Sequence, residues 1–175
     1  VVANGGGAAI EVGLIGSEGV TGLGVIMGAN RSPNATYVQL AGSGLRISAD
    51  NLRSAINESA SLQKILLQYG YVFMVQTAQT ALANGRSKVE ARLARWLLMA
   101  HDRVRSNHLT LTHEFLGIML GVRRSGVTVA LGVLEGKGVI RAARGVITIV
   151  NRRALEKLAG TTYGAPEAEF KRLFS

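Results

Sequence analysis

Apolar positions along residues 59–83 follow the clearest rhythm in the chain. Leu62, Leu66, Tyr69, Phe73, Gln76, Thr80 and Ala83 step by four and three, tracing one seam that Ile65 and Val72 widen. The pattern predicts a long amphipathic helix that ends at Asn84-Gly85. Gln76 and Thr80 stand on that seam and are candidates to fix register across a two-fold axis. A helix buried against its own N-terminal segment is the alternative. Upstream the rhythm shortens. Residues 8–16 alternate, 16–24 are punctuated by glycine, and Asn30-Arg31-Ser32-Pro33-Asn34 marks a sharp turn. Residues 36–40 and 44–48 read as two further strands, together part of a small antiparallel barrel or roll. Ser48-Ala49-Asp50-Asn51 then offers a start for a short helix near 49–57.

Downstream, helical spacing returns. Ser87 with Glu90 has capping-box spacing, and Leu93, Trp96, Leu97, Ala100 and Val104 form an inner stripe, Trp96 as a core anchor. Residues 112–135 are the most informative stretch and read as a helix-turn-helix. Gly117 allows close backbone approach, Gly121 allows a turn with positive φ, and Val127 and Ala130 seat a second helix. Leu116, Leu120, Val122, Val127, Leu131 and Leu134 face inward, leaving Arg123, Arg124, Ser125 and Thr128 outward. A helical hairpin with a solvated basic face is the plainer alternative. Two short strands around Arg144-Gly145 suggest a β-hairpin wing, and Asn151 can cap a last helix. The fold class expected is α+β, with four segments. These are a partial antiparallel β-roll (1–58), a long dimerisation helix with hinge (59–84), a winged helix-turn-helix (85–160) and a tail (161–175).

Charge sharpens this picture. Residues 1–83 balance four basic against four acidic side chains, whereas 84–160 carry fourteen basic against five acidic. A positive field confined to the segment that holds the helix-turn-helix suits a polyanion partner, double-stranded DNA above all. Cysteine is absent, which excludes disulfides, thiolate metal sites and cysteine-ligated clusters and fits a cytoplasmic setting. No apolar run approaches about 18 residues, so no membrane span is expected. The start at Val1-Val2-Ala3 lacks an initiator Met and a signal pattern, as in a chain entered part-way through. His101, His108 and His113 lack metal-ligand spacing, Asn4-Gly5-Gly6-Gly7 reads as a hairpin tip rather than a phosphate loop, and no catalytic constellation stands out.

With these residues in view, the chain resembles the Crp/Fnr family of bacterial transcription regulators. Leu109–Ile140 carries the most specific part of the likeness. The resemblance implies a homodimer joined through residues 62–83, a recognition helix in the major groove of near-palindromic DNA, and RNA polymerase as a further candidate partner. It also implies a cyclic-nucleotide-binding-like sensor roll, here shortened or incomplete because relatives usually begin with further strands. Reorientation about Asn84-Gly85-Arg86 would then switch affinity.

The resemblance carries over only in part. Arg124 matches the first Arg of a common Arg-Glu…Arg reading pattern, but Ser125 replaces the Glu and Val129 the second Arg. A different or weaker base preference is therefore expected, read by Arg123, Arg124, Ser125 and Thr128. Thr112 (or Thr110) and Arg144 are expected on phosphate. Gly126 is a poor helix former that would let the backbone approach DNA. For an effector, Gly22 opens a run that matches the Gly-Glu-Leu of a cyclic-nucleotide site, and the pair Arg31-Ser32 matches its phosphate-holding half. Leu23 stands where the ribose-holding Glu belongs, so cyclic-nucleotide binding is disfavoured and no cofactor is expected. Haem would need a side chain in the roll, yet all three histidines lie later. Two other functions stay open: a nonspecific DNA-binding or protein-interaction winged helix, and a ligand-binding regulatory subunit of an enzyme.

Overall fold

The computed structural model describes residues 2–5, 8–104 and 106–175. Strands β1 (Val2–Gly5) and β2 (Ala8–Glu11) pair antiparallel, Val2 opposite Glu11 and Gly5 opposite Ala8. Of the glycine run expected at this hairpin's tip, Gly6 and Gly7 lie outside the described residues. A one-turn helix α1 (Leu23–Ile26) and α2 (Ala49–Glu58) follow, the latter capped by Ser48, whose hydroxyl accepts from Asn51 N at 3.2 Å. The strands expected at 36–40 and 44–48 do not form. Val38, Leu45 and Ile47 are exposed, and Gln39 meets β2 through its side chain, donating to Glu11 at 3.2 Å. A lone extended segment leaves its backbone groups to water, so alternation alone does not make it a strand.

The long helix forms as α3 (Ala60–Arg86), capped by Ser59. It runs through Asn84-Gly85 and stops only at Ser87, because these residues keep helical bonding that ends with Ser87 N on Ala83 O. The break expected at 84–86 therefore lies at Ser87-Lys88, both extended. Ser87 closes α3 instead of starting the next helix, and α4 (Val89–Arg103) begins after Lys88 with no side-chain cap.

The seam of α3 faces inward. Tyr69, Val72, Gln76, Thr80 and Ala83 are buried there, with residues 13–19, α4 and α8 (Ala165–Phe174) among the segments packed against the helix. Gln76 Oε1 accepts from Leu14 N at 2.6 Å, and Thr80 Oγ1 donates to Gln76 O. Both side chains are buried and bonded within the chain, so the expectation that they pair across a two-fold axis is corrected. The opposite face remains open: Leu67, Tyr71, Met74, Ala78 and Leu82 step along it in threes and fours, all exposed. Helix α8, where only a tail was expected, starts with Pro166 in its first turn, a position that needs no N–H.

The main core lies in the C-terminal half. Helix α4 is buried from Leu93 to Ala100, wider than the predicted stripe, because α6 and α7 cover one side and α3 the other. Trp96 is the anchor expected, stacked edge-on against Phe115 with centroids 6.0 Å apart. Its indole N–H donates to Glu11 at 2.9 Å, which fastens β2 to this core. Buried Arg95 donates to the carbonyls of Thr162 and Gln76, tying α4 to the chain on either side. Three strands, β3 (His108–Thr110), β4 (Ile140–Ala143) and β5 (Val146–Ile149), form a sheet in the order β3-β5-β4, and α7 (Arg152–Ala159) is capped by Asn151 as expected. Among the described residues no single helix is long and apolar enough to cross a membrane.

Candidate nucleic-acid interface

The site is built on α5 (His113–Leu120) and α6 (Arg124–Gly136), whose axes meet at 101°. Thr112 caps α5, its hydroxyl accepting from Phe115 N at 3.1 Å. Leu116, Met119 and Leu120 bury the inner face. The turn depends on two glycines, as the spacing predicts. Gly121 sits at φ 60°, ψ 40°, the left-handed region that costs other residues about 1–2 kcal/mol. At Gly117 a Cβ would stand 2.9 Å from the carbonyl oxygen of Val122, which is backbone and cannot yield cheaply. Arg92, from α4, donates to the carbonyl of Leu120 and so satisfies the end of α5.

Helix α6 buries Val127, Ala130, Leu131 and Leu134. That registration turns Arg123, Arg124, Ser125 and Thr128 outward together at its N-terminal end. Arg123 is the N-cap residue and has no side-chain capping bond, so the first amides of α6 join the two guanidinium groups in a positive, donor-rich end. Gly126 is half-buried, and a methyl there would meet only Val122 at 3.8 Å, so packing does not demand glycine.

The wing is the β4–β5 hairpin. Arg144 (φ 50°) and Gly145 (φ 79°) form its two-residue turn, the positive pair that matches strand twist. Glu135 on α6 accepts from Ala142 N at 2.7 Å and pins the wing to the second helix. Between them runs a groove lined by His113, Thr128, Gly132, Glu135, Ala142 and Arg144. The structure thus gathers Arg123, Arg124, Ser125 and Thr128 at one helix end and places Thr128 and Arg144 on one groove. Thr112 starts the neighbouring helix, and Thr110 is exposed on β3.

Sequence reasoning missed His113, whose Nδ1 lies 3.0 Å from Thr128 Oγ1, and Glu135. Both act across the helix pair, over separations that no periodicity encodes. Gly22, Arg31 and Ser32 lie outside this surface. Gly22 precedes α1 at φ 78°, while Arg31 and Ser32 are exposed, the Ser32 hydroxyl bonded to the backbone of Asn34. The three histidines are dispersed, His101 on Asn107 and Arg152, and His108 on Thr148. No group of His, Cys, Asp or Glu side chains among the described residues is placed to hold a metal.

Residues 91–158 match the family model described as the Crp-like helix-turn-helix domain. Among solved structures, FixK2 from Bradyrhizobium japonicum superposes with a TM-score of 0.59 at 21% identity, over 66% of this chain and 60% of FixK2. TTHA1359, a transcriptional regulator of the CRP/FNR family from Thermus thermophilus, gives 0.53 at 22% identity, over 59% of this chain and 57% of its own. The chain spans less than two thirds of either relative. No curated protein sequence matches it. Residues 91–158 thus match a Crp-like helix-turn-helix domain, and up to 66% of the chain shares its fold with these two solved structures.

Proposed function

We propose that the chain is a sequence-specific DNA-binding transcriptional regulator that works as a homodimer. The observation that carries this reading is the 101° helix pair presenting Arg123, Arg124, Ser125 and Thr128 at the exposed start of its second helix. That end fits the major groove, where Arg124 suits the O6/N7 fork of guanine and the methyls of Val129 suit thymine. Arg144 at the wing tip and Thr112 at the start of α5 suit phosphates, which set register. The excess positive charge of residues 84–160 supports the same partner.

Dimerisation is assigned to α3 within residues 62–83, through the exposed stripe Leu67, Tyr71, Met74, Ala78 and Leu82. Such a stripe has the spacing of a two-helix seam. Residues 1–58 are read as part of a sensor segment, with Gly22, Arg31 and Ser32 as its effector-facing residues. Leu23 cannot accept from a ribose hydroxyl, which disfavours a cyclic nucleotide as the effector. A second reading, a binder with little sequence preference, is favoured by Val129, which is 64% exposed on the outer side of α6 where a second arginine would read bases.

Selection of bound sequences from a random DNA library at about 150 mM salt separates the two. The regulator reading expects a two-fold symmetric site bound at least about a thousandfold more tightly than scrambled DNA. Affinity that tracks salt alone, with no consensus, supports the nonspecific reading and overturns the first.

A further inference from the structure

A hydroxyl group usually reads bases ambiguously, since it donates one hydrogen bond and accepts two. Thr128 is placed differently. Its Oγ1 lies 3.0 Å from His113 Nδ1 and 3.2 Å from the carbonyl oxygen of Arg124 one turn earlier. The hydroxyl has one proton, and two arrangements spend it on these neighbours. Either it donates to Arg124 O while His113 Nδ1–H donates to Oγ1, or it donates to an unprotonated Nδ1. Both spend the proton inside the protein. Both leave only lone pairs of Oγ1 on the exposed side of α6, in the groove shared with Arg144 and Glu135.

We propose that His113 is a specificity-determining positioning residue, which turns Thr128 into an acceptor-only reader that selects an exocyclic amine, adenine N6 or cytosine N4, in the major groove. This rests on the DNA-reading function proposed above. Without the imidazole, the only internal acceptor for the hydroxyl is the Arg124 carbonyl, which the α-helix also uses. That one shared bond holds the proton less firmly than the carbonyl and the imidazole do together, so the hydroxyl turns outward more often and donates to guanine O6 or thymine O4 as well as accepting from an amine. Nothing in the separation of fifteen residues makes this pair visible in the sequence.

The test is selection of half-sites from a random library with the full chain and three variants, followed by affinities for sites differing at one base pair. Thr128→Val marks the position that Thr128 reads, by losing its preference there. His113→Ala is expected to relax that same position roughly tenfold, the scale of one net hydrogen bond, with the other positions unchanged. His113→Asn, whose amide nitrogen takes the place of Nδ1, is expected to restore it. A site on which His113→Ala changes nothing, or changes every position alike while His113→Asn does the same, overturns the assignment alone. A preference for guanine or thymine at the Thr128 position also overturns it. Failure of the unmodified chain to enrich any sequence overturns the DNA-reading function and this assignment with it.

Discussion

Single side chains in this protein matter through what they leave unsatisfied. Arg124 stands exposed at the start of α6, so its guanidinium is open to a bidentate fork. Arg124→Ala is expected to cost about 1–3 kcal/mol on the selected site and to relax it at one base pair, read by fluorescence anisotropy against sites mutated singly. Glu11 is the opposite case. It is 3% exposed, and burial pushes its carboxyl above the ordinary 4.5 although Trp96 and Gln39 donate to it. A carboxyl raised on folding binds its proton more tightly in the folded chain. Its contribution to stability is therefore complete below pH 4.5 and is lost as pH rises through the raised value. Glu11→Gln keeps an acceptor for the indole and carries no charge. It is expected to be more stable than the parent at neutral pH, with the gap closing below pH 4.5. Urea midpoints across that range measure this, and a gap independent of pH would refute the role of burial.

At the scale of elements, what was legible in the sequence was what local rules determine. The helix-turn-helix was readable because Gly117 and Gly121 answer local steric demands, and the wing because Arg144-Gly145 is a two-residue turn. The capped helices α2, α5 and α7 start where Ser48, Thr112 and Asn151 stand. What failed depended on partners. Residues 36–40 and 44–48 have strand-like composition but form no strand, and Gln39 meets β2 through its side chain, on Glu11. The seam of α3 was seen, yet which surface covers it depends on α8 and residues 13–19, distant in sequence. In the candidate site, outward positions on α6 followed from periodicity, whereas His113 and Glu135 did not. The wing tip also carries a prediction. Arg144 holds a positive φ that costs an L-residue about 1–2 kcal/mol, while glycine there would lose about 0.5–1 kcal/mol more chain entropy. The two effects partly offset, so Arg144→Gly is expected to stabilise the fold by no more than about 1.5 kcal/mol. If the wing touches phosphate, DNA affinity falls alike for all sequences, and the slope of log K against log salt drops by about 1. A normal salt slope in this variant would place the wing off the DNA.

For the molecule as a whole, α3 has two faces with different tasks. One face holds the chain together, with Gln76 bonded to Leu14 and the aromatic ring of Phe73 against Gly13. The other leaves Leu67, Tyr71, Met74 and Leu82 between 44% and 61% exposed in a line about four helical turns long. A monomer gains nothing from an apolar stripe of this regularity, whereas a second copy laid against it buries the stripe twice over. Met74 stands at its centre and takes no part in the buried core. Met74→Asp therefore leaves the monomer fold intact and puts a carboxylate opposite its own copy across the two-fold axis. The expected outcome is a shift from dimer to monomer in sedimentation velocity, with an unchanged circular dichroism spectrum. Affinity for a full palindrome should then fall to that for an isolated half-site, because two recognition helices no longer bind as one unit. A variant that stays dimeric would move the interface off this face of α3, while leaving the reading by Arg124 and Thr128 to be judged on its own experiments.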